Sequence, residues 1–104
     1  MINKELLASR IEEIKMLKIV KLPDGRFDVW GDVDFSCLGL TSLKELPIKI
    51  RRVHGKFDCS GNQLTSLEGA AQWIARNFYI INNPKKFTEE EVLSIVKVEG
   101  DVFV

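Results

Sequence analysis

Gly55-Lys56-Phe57-Asp58-Cys59-Ser60-Gly61-Asn62-Gln63-Leu64-Thr65-Ser66-Leu67 reads as a short strand, a turn and two inward leucines, and the chain writes it more than once. An earlier copy runs Gly31-Asp32-Val33-Asp34-Phe35-Ser36-Cys37-Leu38-Gly39-Leu40-Thr41-Ser42-Leu43, in which Leu-Thr-Ser-Leu recurs letter for letter. A later, worn copy runs Asn77-Phe78-Tyr79-Ile80-Ile81-Asn82-Asn83-Pro84, and Gly100-Asp101-Val102-Phe103-Val104 begins a fourth. The first apolar strand positions, Val33, Phe57, Phe78 and Val102, are spaced by 24, 21 and 24 residues. Apolar residues two apart turn one face of a short strand into a core. An asparagine at the strand's end can bond backbone groups of the tight turn that follows, which would otherwise be buried unpaired. Leu64 and Leu67 then fold under the strand. A unit of this size buries its faces only against its neighbours, so a fixed period predicts units stacked side by side. The copies are uneven. Leu38 stands where the second has Asn62, and Pro84-Lys85-Lys86 interrupts the leucine spacing of the third.

The pattern Phe57-x-Cys59-x-x-Asn62-x-Leu64-x-x-Leu67 resembles the leucine-rich repeat family, whose period runs to roughly 20–29 residues. The likeness covers residues 31–87 and is closest in the middle copy. Gly61-Asn62-Gln63-Leu64-Thr65-Ser66-Leu67-Glu68-Gly69-Ala70 in particular is similar to the short leucine-rich repeat proteins common in phage and prophage genomes. The resemblance implies a solenoid with parallel repeat strands. It also implies a phage- or prophage-encoded protein that binds or inhibits a bacterial host protein.

The flanks suit the closing of such a stack. Asn3 is placed to cap a helix over residues 4–17, with Leu6, Leu7, Ile11, Ile14 and Leu17 on one face. Ile19–Leu22, Pro23-Asp24-Gly25 and Phe27–Trp30 read as a hairpin. Thr88-Glu89-Glu90-Glu91 is a capping box for a helix to about Val96, with Val92, Leu93, Ile95 and Val96 apolar, before a last strand Val102–Val104. Between copies, residues 67–77 are expected to form a helical crossover with Trp73 and Ile74 pointing inward. The expected fold class is therefore α+β in one domain. Residues 1–30 form an N-terminal helix-and-hairpin cap, 31–87 the repeats, and 88–104 a C-terminal helix-and-strand cap.

Composition narrows the chemistry. The 104 residues fit one domain. Fifteen Lys and Arg balance fifteen Asp and Glu, which disfavours nucleic acid held by bulk charge. The longest apolar runs are too short to span a bilayer, so no membrane partner is expected. Met1–Glu5 lacks the apolar stretch of a secretion signal, so a cytoplasmic location is expected, in a host cell if the gene is a phage's. Cys37 and Cys59 lie in apolar segments and read as buried reduced thiols rather than a disulfide framework. The single histidine, His54, gives no ligand spacing for zinc, so no metal and no cofactor are expected. Its only sequence-visible nucleophile partners are Cys59 and Asp58, and neither makes a base–nucleophile–orienter set. No catalytic residue and no enzyme activity are expected.

Alternation assigns the outward residues. If Val33/Phe35, Phe57/Cys59, Phe78/Ile80 and Val102/Val104 face in, then Asp34, Asp58, Tyr79 and Phe103 line up outside, with Ile81 beside them. That face shades from acidic to apolar and is the expected protein-binding surface. Arg51 and Arg52, on a basic edge from Lys49 to Lys56 with Lys85 and Lys86 nearby, are candidate phosphate contacts. Nucleic acid is the weaker alternative, because no aromatic is visibly interleaved with these cations. Val102–Val104 also reads as an unguarded edge strand, which suits self-association.

Overall fold

A computed structural model describes residues 1–104. Helix α1 (Lys4–Lys15) leads into β1 (Lys18–Lys21), β2 (Phe27–Trp30) and β3 (Val33–Asp34). A 3-10 turn (Leu43–Glu45) precedes β4 (Ile50–Val53) and β5 (Phe57–Asp58), followed by β6 (Trp73–Ile74) and β7 (Phe78–Tyr79). Helix α2 (Glu89–Leu93), β8 (Lys97–Val98) and β9 (Val102–Phe103) complete the chain. The fold is α+β with few helices. One sheet is mixed, in the order β1-β2-β4-β6-β8; the other is wholly parallel, in the order β3-β5-β7-β9.

The parallel sheet joins the four sequence copies in register, Val33 to Phe57, Phe57 to Phe78 and Phe78 to Val102. The mixed sheet carries a second ladder at the same offsets, Val29 to Val53 to Ile74 to Val98. Inward side chains of both sheets join a single cluster of 21 buried residues, with Phe35, Phe57, Phe78, Leu64, Val53 and Ile74 almost fully enclosed. The second ladder replaces the helical crossover expected over 67–77: Ile74 is buried as expected, but Trp73 lies on a strand and faces out, half-buried. Two-residue strands bounded by turns leave too short a pattern to separate from a helical turn by periodicity.

Asn62 ties adjacent copies together. Its Oδ1 accepts from the N–H groups of Leu38 (2.9 Å) and Leu40 (3.1 Å) in the preceding copy, and its Nδ2 donates to the carbonyls of Phe35 (2.9 Å) and Cys59 (3.0 Å). Asn83 repeats the motif one copy later, accepting from Leu64 N–H (3.0 Å) and donating to the carbonyls of Cys59 and Ile80 (3.2 Å each). The recurring Leu-Thr-Ser-Leu also has a cause. Leu40, Leu43, Leu64 and Leu67 are buried, while the hydroxyls of Ser42 and Ser66 accept from the N–H groups of Lys44 and Glu68. Another polar rung sits at the strand starts, where Asp32 Oδ1 accepts from Lys56 N–H (2.8 Å) and Asn77 Oδ1 from Asp101 N–H (2.9 Å). A Cβ on Gly55 or on Gly100 would come within 2.5 Å of those same oxygens, so glycine at both positions permits the close approach.

The ends behave differently from the middle. Asn3 caps α1 through Leu6 N–H (3.0 Å), and its own N–H donates to Leu38 O (2.8 Å), fastening the helix to the copy that lacks the asparagine. Ile14 is buried, and Leu6, Leu7, Ile11 and Leu17 pack against the core. The capping box of Thr88 and Glu91 is present, with Glu91 N–H donating to the Thr88 hydroxyl at 3.1 Å. The helix it starts ends at Leu93, short of the expected Val96; Val92 and Val96 are buried whereas Leu93 and Ile95 are exposed. Cys59 is buried, and enclosure pushes its thiol well above the ordinary range. Cys37 is exposed, contrary to expectation. It occupies the left-handed corner (φ 56°) that Gly61 and Asn82 occupy in the next two copies, where the chain turns away from the core.

Candidate functional site

Two sheets give two outer faces. On the parallel sheet, Asp34, Asp58, Tyr79 and Phe103 stand opposite one another on successive strands, in the order the alternation predicts. Asp34 is held by Arg10 of α1, whose guanidinium reaches Oδ1 at 2.7 Å and the Asp34 carbonyl at 3.0 Å. Partial burial pushes the Asp34 carboxyl up, but hydrogen bonds from the Ser36 hydroxyl and N–H, aided by Arg10, outweigh it and hold the group below its ordinary value. Asp58 accepts from Ser60 N–H at 2.9 Å and makes no ion pair. Tyr79 and Phe103 stack in parallel, with centroids 4.7 Å apart. Phe103 is 42% exposed and Ile81 38%, so α2 does not cover this end of the face. Ile81 N–H donates to the Ser60 hydroxyl (3.2 Å), and the residue borders a shallow cleft with Lys85, Phe87 and Val104. Asp34, Asp58, Tyr79 and Phe103 lie on this face, and Ile81 follows the end of β7, exposed two residues past Tyr79.

The mixed sheet's outer face carries a row Val20, Asp28, Arg52, Trp73, Lys97. A β-bulge between Phe27 and Asp28 shifts the pairing at Arg51, which is why Ile50 and Val53, three apart, are both buried. Arg51 and Arg52 are thereby both left outside the core, but their environments differ. Arg51 grips Asp28 with two nitrogens, its Nε at 3.0 Å from Oδ1, whereas Arg52 makes no ion pair and lies over the Trp73 ring at 6.0 Å. Asp28 is only 5% exposed. The hydrogen bond from Arg51 prevails over the opposing effect of burial and lowers the Asp28 carboxyl below its ordinary value. A carboxyl lowered on folding stabilises the folded chain above the ordinary carboxylate range, and that contribution disappears as pH falls through the folded value. Stability is therefore expected to decline below about pH 4, and less steeply in Asp28→Asn than in the parent. Urea midpoints measured from about pH 7 to 2 check this; identical acid limbs in the two proteins contradict it.

His54 sits in the bend that follows β4, and its ring lies on this face. Its ring stacks on Trp30 (4.2 Å, interplanar angle 6°) and meets Trp73 edge-on (4.9 Å, 61°). Lys18 Nζ lies over the far indole, 5.2 Å from the Trp30 ring, and the Trp73 indole N–H donates to Glu99 at 3.3 Å. Aromatic rings are thus interleaved with cations here, contrary to the reading of the sequence. His54 is also separated from its two candidate nucleophile partners: Asp58 belongs to the other sheet and Cys59 to the core. No three His, Cys, Asp or Glu side chains gather in metal-binding geometry. The single basic edge does not assemble either. Arg51 and Arg52 line a groove with Arg26, Trp73 and Lys97, while Lys85 and Lys86 line the separate cleft beside Ile81.

What the alternation missed was the entire second face. The signal was present in the equal offsets of Val29, Val53, Ile74 and Val98, but a bulge at Arg51 interrupts their period-two context. No helix is long and apolar enough to cross a membrane. Comparison with protein-family models, with curated proteins and with solved structures returns no match for this chain.

Proposed function

We propose that this chain is a short solenoid of the leucine-rich-repeat type, working as a non-enzymatic module that binds another protein through the outer face of its parallel sheet. The observation that carries the reading is the column Asp34, Asp58, Tyr79, Phe103, set on four strands in register and left uncovered at its apolar end. A short, backbone-tied scaffold that displays one graded column suits recognition, because rigid elements lose little freedom on binding. The gradient specifies the partner's chemistry. A cation belongs opposite Asp58, which has no internal ion pair, and an aliphatic or aromatic group opposite Tyr79, Phe103 and Ile81. The likeness of residues 61–70 to phage repeat proteins supports a phage or prophage origin and a bacterial host protein as that partner, bound and inhibited in the host cytoplasm.

The test is affinity capture from bacterial lysate with the parent chain and with Tyr79→Ser/Phe103→Lys. Both side chains lie outside the core cluster, so the variant is expected to melt close to the parent. It is expected to lose the proteins that the parent retains. An unchanged set of captured proteins refutes the assigned face.

A further inference from the structure

The aromatic and basic residues of the mixed sheet are not used by the binding face just described. Trp30 on β2, His54 just past the end of β4 and Trp73 on β6 belong to three adjacent strand positions of the sheet and form one continuous aromatic band. Lys18 and Arg52 lie over the two indoles, and neither takes part in an ion pair. Lys97 continues the row beyond Trp73. The carboxylates near the band are already engaged, Asp28 by Arg51 and Glu99 by Lys97 and the Trp73 N–H. Lys18 and Arg52 are therefore the two uncompensated charges on this face, and each is positioned by an aromatic ring.

We propose that this face binds single-stranded nucleic acid, with bases stacking on Trp30 and Trp73 and phosphates held by Lys18 and Arg52. An exposed cation over an indole is a weak contact, and a base stacked on the same indole is a stronger one. A base can therefore displace the lysine or arginine from the ring, and the freed cation is then within reach of the adjoining phosphate. His54 backs Trp30 on its opposite side and keeps the ring from tilting as the base arrives. The neutral total charge is no obstacle, because the carboxylates Asp32, Asp34, Asp58 and Asp101 lie on or beside the other sheet's strands. Duplex DNA and RNA are disfavoured, since their bases are already stacked and only phosphates would remain to bind. An acidic protein would satisfy the cations but has no flat rings for the two indoles.

The chain's only two tryptophans both lie in this band, so intrinsic fluorescence reports on it directly. The full chain is titrated with oligo-dT and oligo-U of about 15 nucleotides at low salt. Saturable quenching is expected, with affinity falling about tenfold between roughly 50 and 200 mM salt, as two or three phosphate contacts require. By anisotropy of a labelled oligonucleotide, Trp73→Leu is expected to lose about tenfold in affinity. Arg52→Glu, whose side chain is exposed and outside the core, is expected to lose at least as much and to flatten the salt dependence. Tyr79→Ser/Phe103→Lys is expected to bind oligonucleotide like the parent, which separates this surface from the protein-binding one. Three outcomes overturn the proposal. They are no quenching at low salt, parent-like affinity in both Trp73→Leu and Arg52→Glu, or equal binding of duplex DNA or polyglutamate. The last would make the face a site for bulk anionic charge or for acidic proteins.

Discussion

Asn62→Ala is expected to lose about 3–5 kcal/mol, a large share of the roughly 5–15 kcal/mol that holds a domain of this size together. The figure follows from the groups left without partners. Cys59 O keeps a donor in Asn83, and Ser60 O keeps Cys37 N–H, so neither becomes unpaired. The N–H groups of Leu38 and Leu40 and the carbonyl of Phe35 have no partner besides Asn62. Each unpaired buried group costs about 1–3 kcal/mol, and partial hydration of the space left by the amide lowers the sum. Asn83→Ala removes fewer unique bonds at a less buried position and is expected to cost about 1–2 kcal/mol. Urea unfolding of both variants checks the ranking as well as the sizes. Equal effects, or a larger loss at Asn83, contradict the view that Asn62 fastens the central copy to its neighbour.

Phe57→Ala is expected to cost about 3–5 kcal/mol, the usual range for removing a fully enclosed phenyl ring. Phe57 is 1% exposed and lies between the rings of two other copies, edge-on to Phe35 at 6.1 Å and stacked on Phe78 at 5.5 Å. Truncation opens a cavity at the centre of the stack and removes both ring contacts, so no single neighbour can collapse to fill it. Phe57→Leu, which keeps most of the volume, is expected to recover more than half of the loss. Thermal and urea midpoints of the two variants against the parent measure this. A loss below about 1 kcal/mol for Phe57→Ala would place the ring in a site that water or rearrangement can readily fill.

One side of this molecule is legible in its letters and the other is not, for physical reasons. The parallel sheet is legible because each copy gives it an inward pair two apart, and because Asn62, Ser42 and Ser66 perform backbone bonding that few other side chains can. The outward column follows from alternation alone, so Asp34, Asp58, Tyr79 and Phe103 could be placed without coordinates. The mixed sheet is obscure because its rungs after β4 are two residues long and because the bulge at Arg51 sets Ile50 and Val53 three apart. The stacking of Trp30, His54 and Trp73 was hidden for a related reason. Trp30 and His54, 24 residues apart, occupy equivalent positions, but Trp73 is level with Arg52, and only the lateral packing of the strands brings its ring against His54. The exposure of Cys37 depends on a left-handed corner, which composition does not reveal when the residue is not glycine.

The stacking of copies in register is the claim on which both faces depend, and nuclear Overhauser contacts from the Phe57 ring in solution test it most directly. Cross-peaks from Phe57 to both Phe35 and Phe78, together with Asn62 side-chain amide protons protected from exchange, are the expected result. A Phe57 ring lacking contact with either phenylalanine, beside an Asn62 amide that exchanges at the rate of free solvent, would contradict it.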